Sequence, residues 1–142
     1  MIRLVINSEL DDVVSLWLET SIHSHGFIDS EYWRSKQSDM RTIYLPSAAT
    51  WVYEADGRLL GFYSLVGDTL AALFVLPAYH GQGVGSKLLE HAVAGRGRVE
   101  LTVYKENFRA CSFYIDRGFR VVKEQTAQET GQIEYHMVRD SL

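Results

Sequence analysis

Leu73-Phe74-Val75-Leu76-Pro77-Ala78-Tyr79-His80-Gly81-Gln82-Gly83-Val84-Gly85-Ser86 breaks an apolar run at a proline, then sets three glycines at alternate positions. The next residues, Lys87-Leu88-Leu89-Glu90-His91-Ala92-Val93, space their apolar members as a helix does. The stretch reads as strand, glycine loop and helix start. Glycine allows close approach of the main chain, and a helix N-terminus offers unsatisfied N–H donors and the positive end of its dipole. The expected ligand is an anion, and phosphate fits it best. A P-loop is excluded, because Ser86 precedes Lys87 and the glycine spacing differs. A dinucleotide fingerprint needs Gly-x-Gly-x-x-Gly early in a βαβ unit, whereas Gly-x-Gly-x-Gly here follows three antiparallel-reading strands.

Working outward, Ile2–Ile6 reads as a first strand. Asn7 or Ser8 caps a helix through about Ser21, with Leu10, Val13, Val14, Trp17 and Leu18 as its apolar stripe. A loop over His23–Ile28 leads to a second helix, capped by Asp29 or Ser30 and running to about Tyr44 before Pro46. Thr50–Ala55 and Leu59–Val66 flank the turn signal Asp56-Gly57, and Leu70–Leu76 follows Gly67-Asp68. After the glycine loop and its helix to about Ala94, Val99–Tyr104 is a strand and Asn107–Arg117 a helix stopped by Gly118. Phe119–Gln125 and Ile133–Val138 form a last hairpin. The expected order is β-α-α-β-β-β-α-β-α-β-β, an α+β fold occupying residues 1–142 as one domain.

The composition narrows the classes. The chain has 142 residues, 46% of them apolar and 23% charged, with a formal net charge of −4 and no basic tract. That balance argues against nucleic acid as partner. The single cysteine, Cys111, excludes an internal disulfide and suits a reducing compartment. The apolar start Met1–Ile6 is too short for a signal peptide or membrane span, so the expectation is a soluble cytoplasmic protein with no membrane partner. The five histidines show no ligand spacing with Asp, Glu or Cys, and no metal is implied.

Gly81, Gly83 and Gly85 alone also suit a tight turn and close helix packing. A second motif separates the readings. Asn107-Phe108-Arg109-Ala110-Cys111-Ser112-Phe113-Tyr114-Ile115-Asp116-Arg117-Gly118-Phe119 puts Asn107, Ala110, Cys111 and Tyr114 at helical spacing, an amide and a phenol on one face. Together the two motifs resemble the GCN5-related N-acetyltransferase (GNAT) superfamily. His80–Gly85 matches its Gln/Arg-x-x-Gly-x-Gly/Ala signature except at the first position, and the Asn107–Phe119 stretch matches without a gap. A closer likeness is to the small bacterial YiaC-type members, through His25-Gly26-Phe27-Ile28, Tyr32-Trp33-Arg34, Trp51-Val52-Tyr53-Glu54, Leu59-Leu60-Gly61-Phe62 and Leu70–Val75.

The resemblance implies a mixed, mainly antiparallel twisted sheet of about seven strands with four helices. It implies an acetyl-CoA-dependent N-acetyltransferase whose acceptor is a primary amine: a lysine side chain, a peptide N-terminus or a small molecule. The backbone of Leu73, Phe74 and Val75 would pair with the pantetheine arm as an added strand does. The amides of Gly81, Gln82, Gly83, Val84, Gly85 and Ser86 would hold the pyrophosphate, Asn107 would bond near the pantetheine, and Tyr114 would protonate the departing thiolate.

The general base stays open. Related N-terminal acetyltransferases carry a glutamate five residues before the motif asparagine, and Thr102 stands there instead. Glu100 lies two residues earlier on the same strand face, where it serves as a base through water or is simply solvated. His25, in the loop that shapes the acceptor site in this superfamily, is either a base or a loop-ordering residue; His23 and Glu54 are further candidates. Thr102 also keeps an alternative alive, a non-catalytic acyl-CoA-binding sensor or interaction module on the same fold. The last strands permit a monomer or a homodimer.

Overall fold

The computed structural model describes residues 1–141; the single-domain reading of 1–142 extends one residue past them. The chain packs as two compact units, Met1–Ala94 and a second from Gly95 onward.

In the first unit Asp56 and Gly57 both take positive φ, 53° and 75°. That is the backbone of a tight hairpin turn, and it folds β2 (Ala49–Ala55) onto β3 (Arg58–Val66). β4 (Thr69–Val75) pairs antiparallel with β3, and β1 (Ile2–Leu4) with β2. One cross-strand row is Arg3, Val52, Phe62 and Phe74; the next is Leu4, Trp51, Tyr63 and Leu73. Opposite residues share a face, so the rows point to opposite sides of the sheet. The first side carries α1 (Leu10–Ser24): the Arg3 guanidinium bonds both carboxylate oxygens of Glu9, at 2.9 and 2.7 Å, immediately before that helix. The second side carries α4 (Val84–Val93), whose His91 Nδ1 meets the Tyr63 hydroxyl at 2.5 Å.

The register of local elements departs from expectation in four places. The β1 ladder stops at Leu4 rather than Ile6, although the Val5 N–H still bonds the Thr50 carbonyl at 3.0 Å. Neither Asn7 nor Ser8 caps the first helix. A 3₁₀ turn, Asn7–Glu9, precedes it, and Glu9 accepts the Ile6 N–H at 3.0 Å. α1 runs on to Ser24, so His23 is helical; Leu16 is buried on its inner side, and Leu18 only half so.

The second helix is broken. Asp29 caps α2 (Ser30–Ser35) by accepting the Glu31 N–H at 2.9 Å, a single turn α3 (Gln37–Asp39) follows, and Met40–Tyr44 is π-helical. The Leu45 N–H bonds the Met40 carbonyl at 3.0 Å, and both residues are buried. A five-residue spacing reaches one face only through the wider π turn. Tertiary burial overrides the regular helix there.

The second unit is a three-stranded antiparallel sheet in the order β5 (Arg98–Tyr104), β7 (Ile133–Asp140), β6 (Arg120–Thr126). α5 (Phe108–Asp116) packs on β5, and Gly118 ends its connection to β6 with φ 94°. Val99, Leu101, Met137, Val138 and Phe119 are almost wholly buried. Both units are α+β in the expected element order, with seven strands among the described residues. No helix among these residues is long and apolar enough to cross a membrane.

Candidate functional site

The glycine loop is built from the end of β4. The Leu76 N–H bonds the Leu60 carbonyl at 2.9 Å, so the antiparallel alternation turns the N–H and C=O of Val75 and Leu73 away from β3, while those of Phe74 face it. Of the expected pantetheine-pairing residues, Leu73 and Val75 therefore have the right backbone direction, and Phe74 does not. Its ring stacks instead on Phe62, with centroids 5.7 Å apart. Ser64 faces Ala72 and Leu65 faces Leu70, which leaves Ala71 as an additional residue in β4. This bulge has no sequence signal beyond two adjacent small side chains.

Pro77–Tyr79 form a 3₁₀ turn, and Gly81 and Gly83 then take φ of 78° and 84°. A Cβ at either would meet nothing within 4 Å, so glycine is required there by conformation rather than by space. Gly83 is the N-cap of α4; it offers no side-chain cap, and no acidic residue lies in the first turn. The start of α4 is thus a set of backbone donors with no carboxylate in its own first turn. That donor chemistry fits a diphosphate.

His80 begins this loop. Its Nε2 donates to the Val75 carbonyl at 2.8 Å, and the ring meets that of His23 edge-on at 5.9 Å.

In the second unit Asn107 is the N-cap of α5, and its Oδ1 accepts the Ala110 N–H at 3.3 Å. A helix-capping role therefore stands beside any cofactor contact. Tyr114 is buried, with its ring edge-on to Phe119 at 5.4 Å and Phe113 at 5.3 Å. Burial, and secondarily Cys111, raise its phenol well above the ordinary range, so it is a neutral donor throughout the working pH range. The buried Cys111 thiol is also pushed up, as suits a small packing residue.

The base candidates separate. His25 caps the C-terminus of α1, is 6% exposed and stacks on Trp33 with centroids 4.9 Å apart. Burial depresses it to about 4, which makes it a weak base and leaves the loop-ordering reading the stronger. Glu54 is bound by Arg3 at 2.8 Å; with Glu9, Asp12, Glu19 and Arg58 they wall a cleft of about 390 Å³. His23 is exposed.

Glu100 is half-exposed, with one carboxylate oxygen 3.6 Å from His136 Nε2 and the other 3.7 Å from Arg98 Nε. His136 stands directly across the ladder from Thr102, a neighbour that strand spacing alone does not reveal. Among the described residues, no three or more His, Cys, Asp or Glu side chains gather as a metal-binding group.

Residues 46–121 match the model of the acetyltransferase (GNAT) domain family. The chain is 40% identical over 131 residues to the peptidyl-lysine N-acetyltransferase YiaC of Escherichia coli, covering 92% of this chain and 90% of that protein. It is 32% identical to the E. coli peptidyl-lysine N-acetyltransferase YjaB, covering 92% and 89%. The solution structure of apo-form YjaB superposes with a TM-score of 0.85 and 28% identity over 97% of this chain and 95% of that one. The glycine loop falls within the matched family segment, and the chain belongs to the GNAT family of N-acetyltransferases.

Proposed function

We propose that this protein transfers an acetyl group from acetyl-CoA directly to the ε-amine of lysine in a protein or peptide. The observation that carries this reading is the 40% identity to a peptidyl-lysine N-acetyltransferase across 92% of the chain. That extent also supports residues 1–142 as one acetyltransferase domain.

In this reading the amides of Gly81–Ser86 bind the pyrophosphate, and the edge N–H and C=O of Leu73 with the edge N–H of Val75 pair with the pantetheine amides, the Val75 carbonyl being held by His80. Phe74, its ring stacked on Phe62, fixes the strand that presents those groups. Asn107 orders the start of α5 and thereby Tyr114. Tyr114 acts on the leaving sulfur. An ordinary phenol of pKa about 10 already exceeds a thiol of about 8.5, and burial raises it further. Complete proton transfer from Tyr114 is therefore uphill, and its role is to donate a hydrogen bond as negative charge develops on sulfur.

The acceptor nitrogen attacks the thioester carbonyl carbon, the C–S bond breaks, and one N–H proton ends on the sulfur. A lysine amine of pKa about 10.4 must first lose a proton, at a cost of roughly 4–5 kcal/mol at pH 7. We assign that removal to Glu100 acting with His136. The support is their 3.6 Å approach and the position of His136 opposite Thr102.

The test is incubation with acetyl-CoA and a panel of lysine peptides, blocked N-terminal peptides and polyamines, following free thiol and acetylated product. Lysine-dependent thiol release supports the reading. Tight acetyl-CoA binding without acceptor-dependent thiol overturns it in favour of a sensor.

A further inference from the structure

The first position of the glycine-loop signature, Gln or Arg in the family pattern, is His80 here. We infer that His80 is a positioning residue for the phosphate loop, its Nε2–H tying the start of the loop to the Val75 carbonyl at the end of β4. The inference rests on the acetyl-CoA reading above and specifies how this chain meets it.

Three observations carry it. First, the His80 Nε2 donates to the Val75 carbonyl at 2.8 Å. Val75 is the last residue of β4, and its carbonyl points away from β3, so without His80 that acceptor lies outside the β3–β4 ladder. The contact spans the Pro77–Tyr79 turn and fixes the beginning of the loop against the end of the strand. Second, the residues that follow are conformationally loose by composition. Gly81 and Gly83 sit at positive φ with no neighbour within 4 Å of a would-be Cβ, so side-chain packing does not hold them. Beyond a long contact from Gln82 Nε2 to the Ala78 carbonyl at 3.4 Å, the anchors of this stretch are α4 on one side and His80 on the other. Third, the His23 and His80 rings pack edge to face, with centroids 5.9 Å apart and planes at 72°, a contact that supports the ring orientation aiming Nε2 at Val75.

The chemistry predicts which replacements work. In histidine, Nε2 is three bonds beyond Cβ, as is the amide nitrogen of glutamine. The amide nitrogen of asparagine is only two bonds out and overlays Nδ1 instead. His80→Gln therefore keeps the donor at the Val75 carbonyl, and His80→Asn loses it. A packing role would also favour the longer Gln, so the two roles are separated by the donors: a packing defect weakens both, whereas loss of the phosphate-loop anchor weakens only the one that carries the pyrophosphate.

The experiment compares the unaltered protein with His80→Ala, His80→Asn and His80→Gln, using two donors: acetyl-CoA, and S-acetylpantetheine, which lacks the pyrophosphate. Calorimetry gives the Kd for CoA, and thiol release gives kcat and KM. Loss of one anchoring hydrogen bond predicts that His80→Ala and His80→Asn raise the CoA Kd and the acetyl-CoA KM by up to about tenfold. Both variants should leave kcat, and kcat/KM for S-acetylpantetheine, within roughly twofold, as expected when only uniform binding is lost. His80→Gln should restore CoA binding to within roughly twofold of the unaltered protein on the same scale. Equal loss with both donors, no loss with either, or identical behaviour of the Gln and Asn variants overturns the inference. Failure of the unaltered protein to bind CoA overturns the acetyl-CoA reading instead. Should His80→Ala fail to fold, the contrast between Gln and Asn with the two donors still decides.

Discussion

Leu88 of α4 stands directly over the bare Cα of Gly61 on β3. A Cβ built at Gly61 would lie 3.0 Å from Leu88 Cδ1 and 2.7 Å from the Phe74 carbonyl oxygen. The second contact is with backbone and has no rotamer to relieve it. We expect Gly61→Ala to destabilise the protein by about 1–3 kcal/mol, the usual cost of overpacking. Because α4 carries the glycine loop at its start, the acetyl-CoA KM should rise as well. An unaltered urea midpoint would contradict this packing argument.

Tyr114→Phe retains a buried ring between Phe113 and Phe119 and removes only the hydroxyl. Thiol-release kinetics should show kcat lowered by roughly 10²-fold, with a much smaller change in acetyl-CoA affinity. Equal kcat for the two proteins would take Tyr114 out of the reaction.

Glu100→Gln and His136→Ala should each lower kcat with a lysine peptide while leaving the CoA Kd unchanged. If the two act as one proton acceptor, the double variant loses no more than the worse single one. Additive losses measured in the same assay would separate their roles.

His25 gives the acid stability a defined window. Folded, it takes up a proton near pH 4; in an unfolded chain it does so near 6.5. The unfolded state therefore binds more protons between those values, and stability is complete above pH 6.5 and declines as the pH falls toward 4. The full loss is about 3 kcal/mol at 1.36 kcal/mol per unit. Glu9, held at about 2 chiefly by its hydrogen bonds from Arg3, contributes stability that is lost only as pH falls below about 4.5. The range between pH 6.5 and 4.5 thus separates the His25 contribution from that of Glu9, and His25→Gln should flatten the curve there. A slope unchanged by that substitution would refute the assignment.

Asn107→Ala removes the side-chain acceptor for the Ala110 N–H. Loss of such a cap costs about 1 kcal/mol. Thermal unfolding should register it as a drop of several degrees, on the order of 4 °C for a chain of this size.

Much of the fold was legible because its signals are local. Asp56-Gly57 requires positive φ, and the hairpin follows wherever the strands go. Gly83 and Gly118 mark one helix start and one helix end for the same reason. The glycine loop and the Asn107–Tyr114 helix were likewise read from residue types at fixed spacing. The break in the second helix was not legible, since it arises from burying Met40 and Leu45 together. The β4 bulge at Ala71 was hidden too, because it is set by register against Ser64 and Leu65.

The family and its acetyl-CoA donor are carried by the resemblance of two short motifs, whose geometry the backbone imposes over a few residues, and the role proposed for Tyr114 rests on that same resemblance. What required the three-dimensional structure was the environment of each titratable group. Burial against Trp33 weakens His25 as a base and favours its loop-ordering reading. Strand pairing brings His136 opposite Thr102 and beside Glu100, across more than thirty intervening residues. The Val75 carbonyl likewise gives His80 a purpose that the missing Gln or Arg leaves unstated. Desolvation and long-range pairing depend on what folds against a residue, and a linear sequence does not encode that neighbour by spacing.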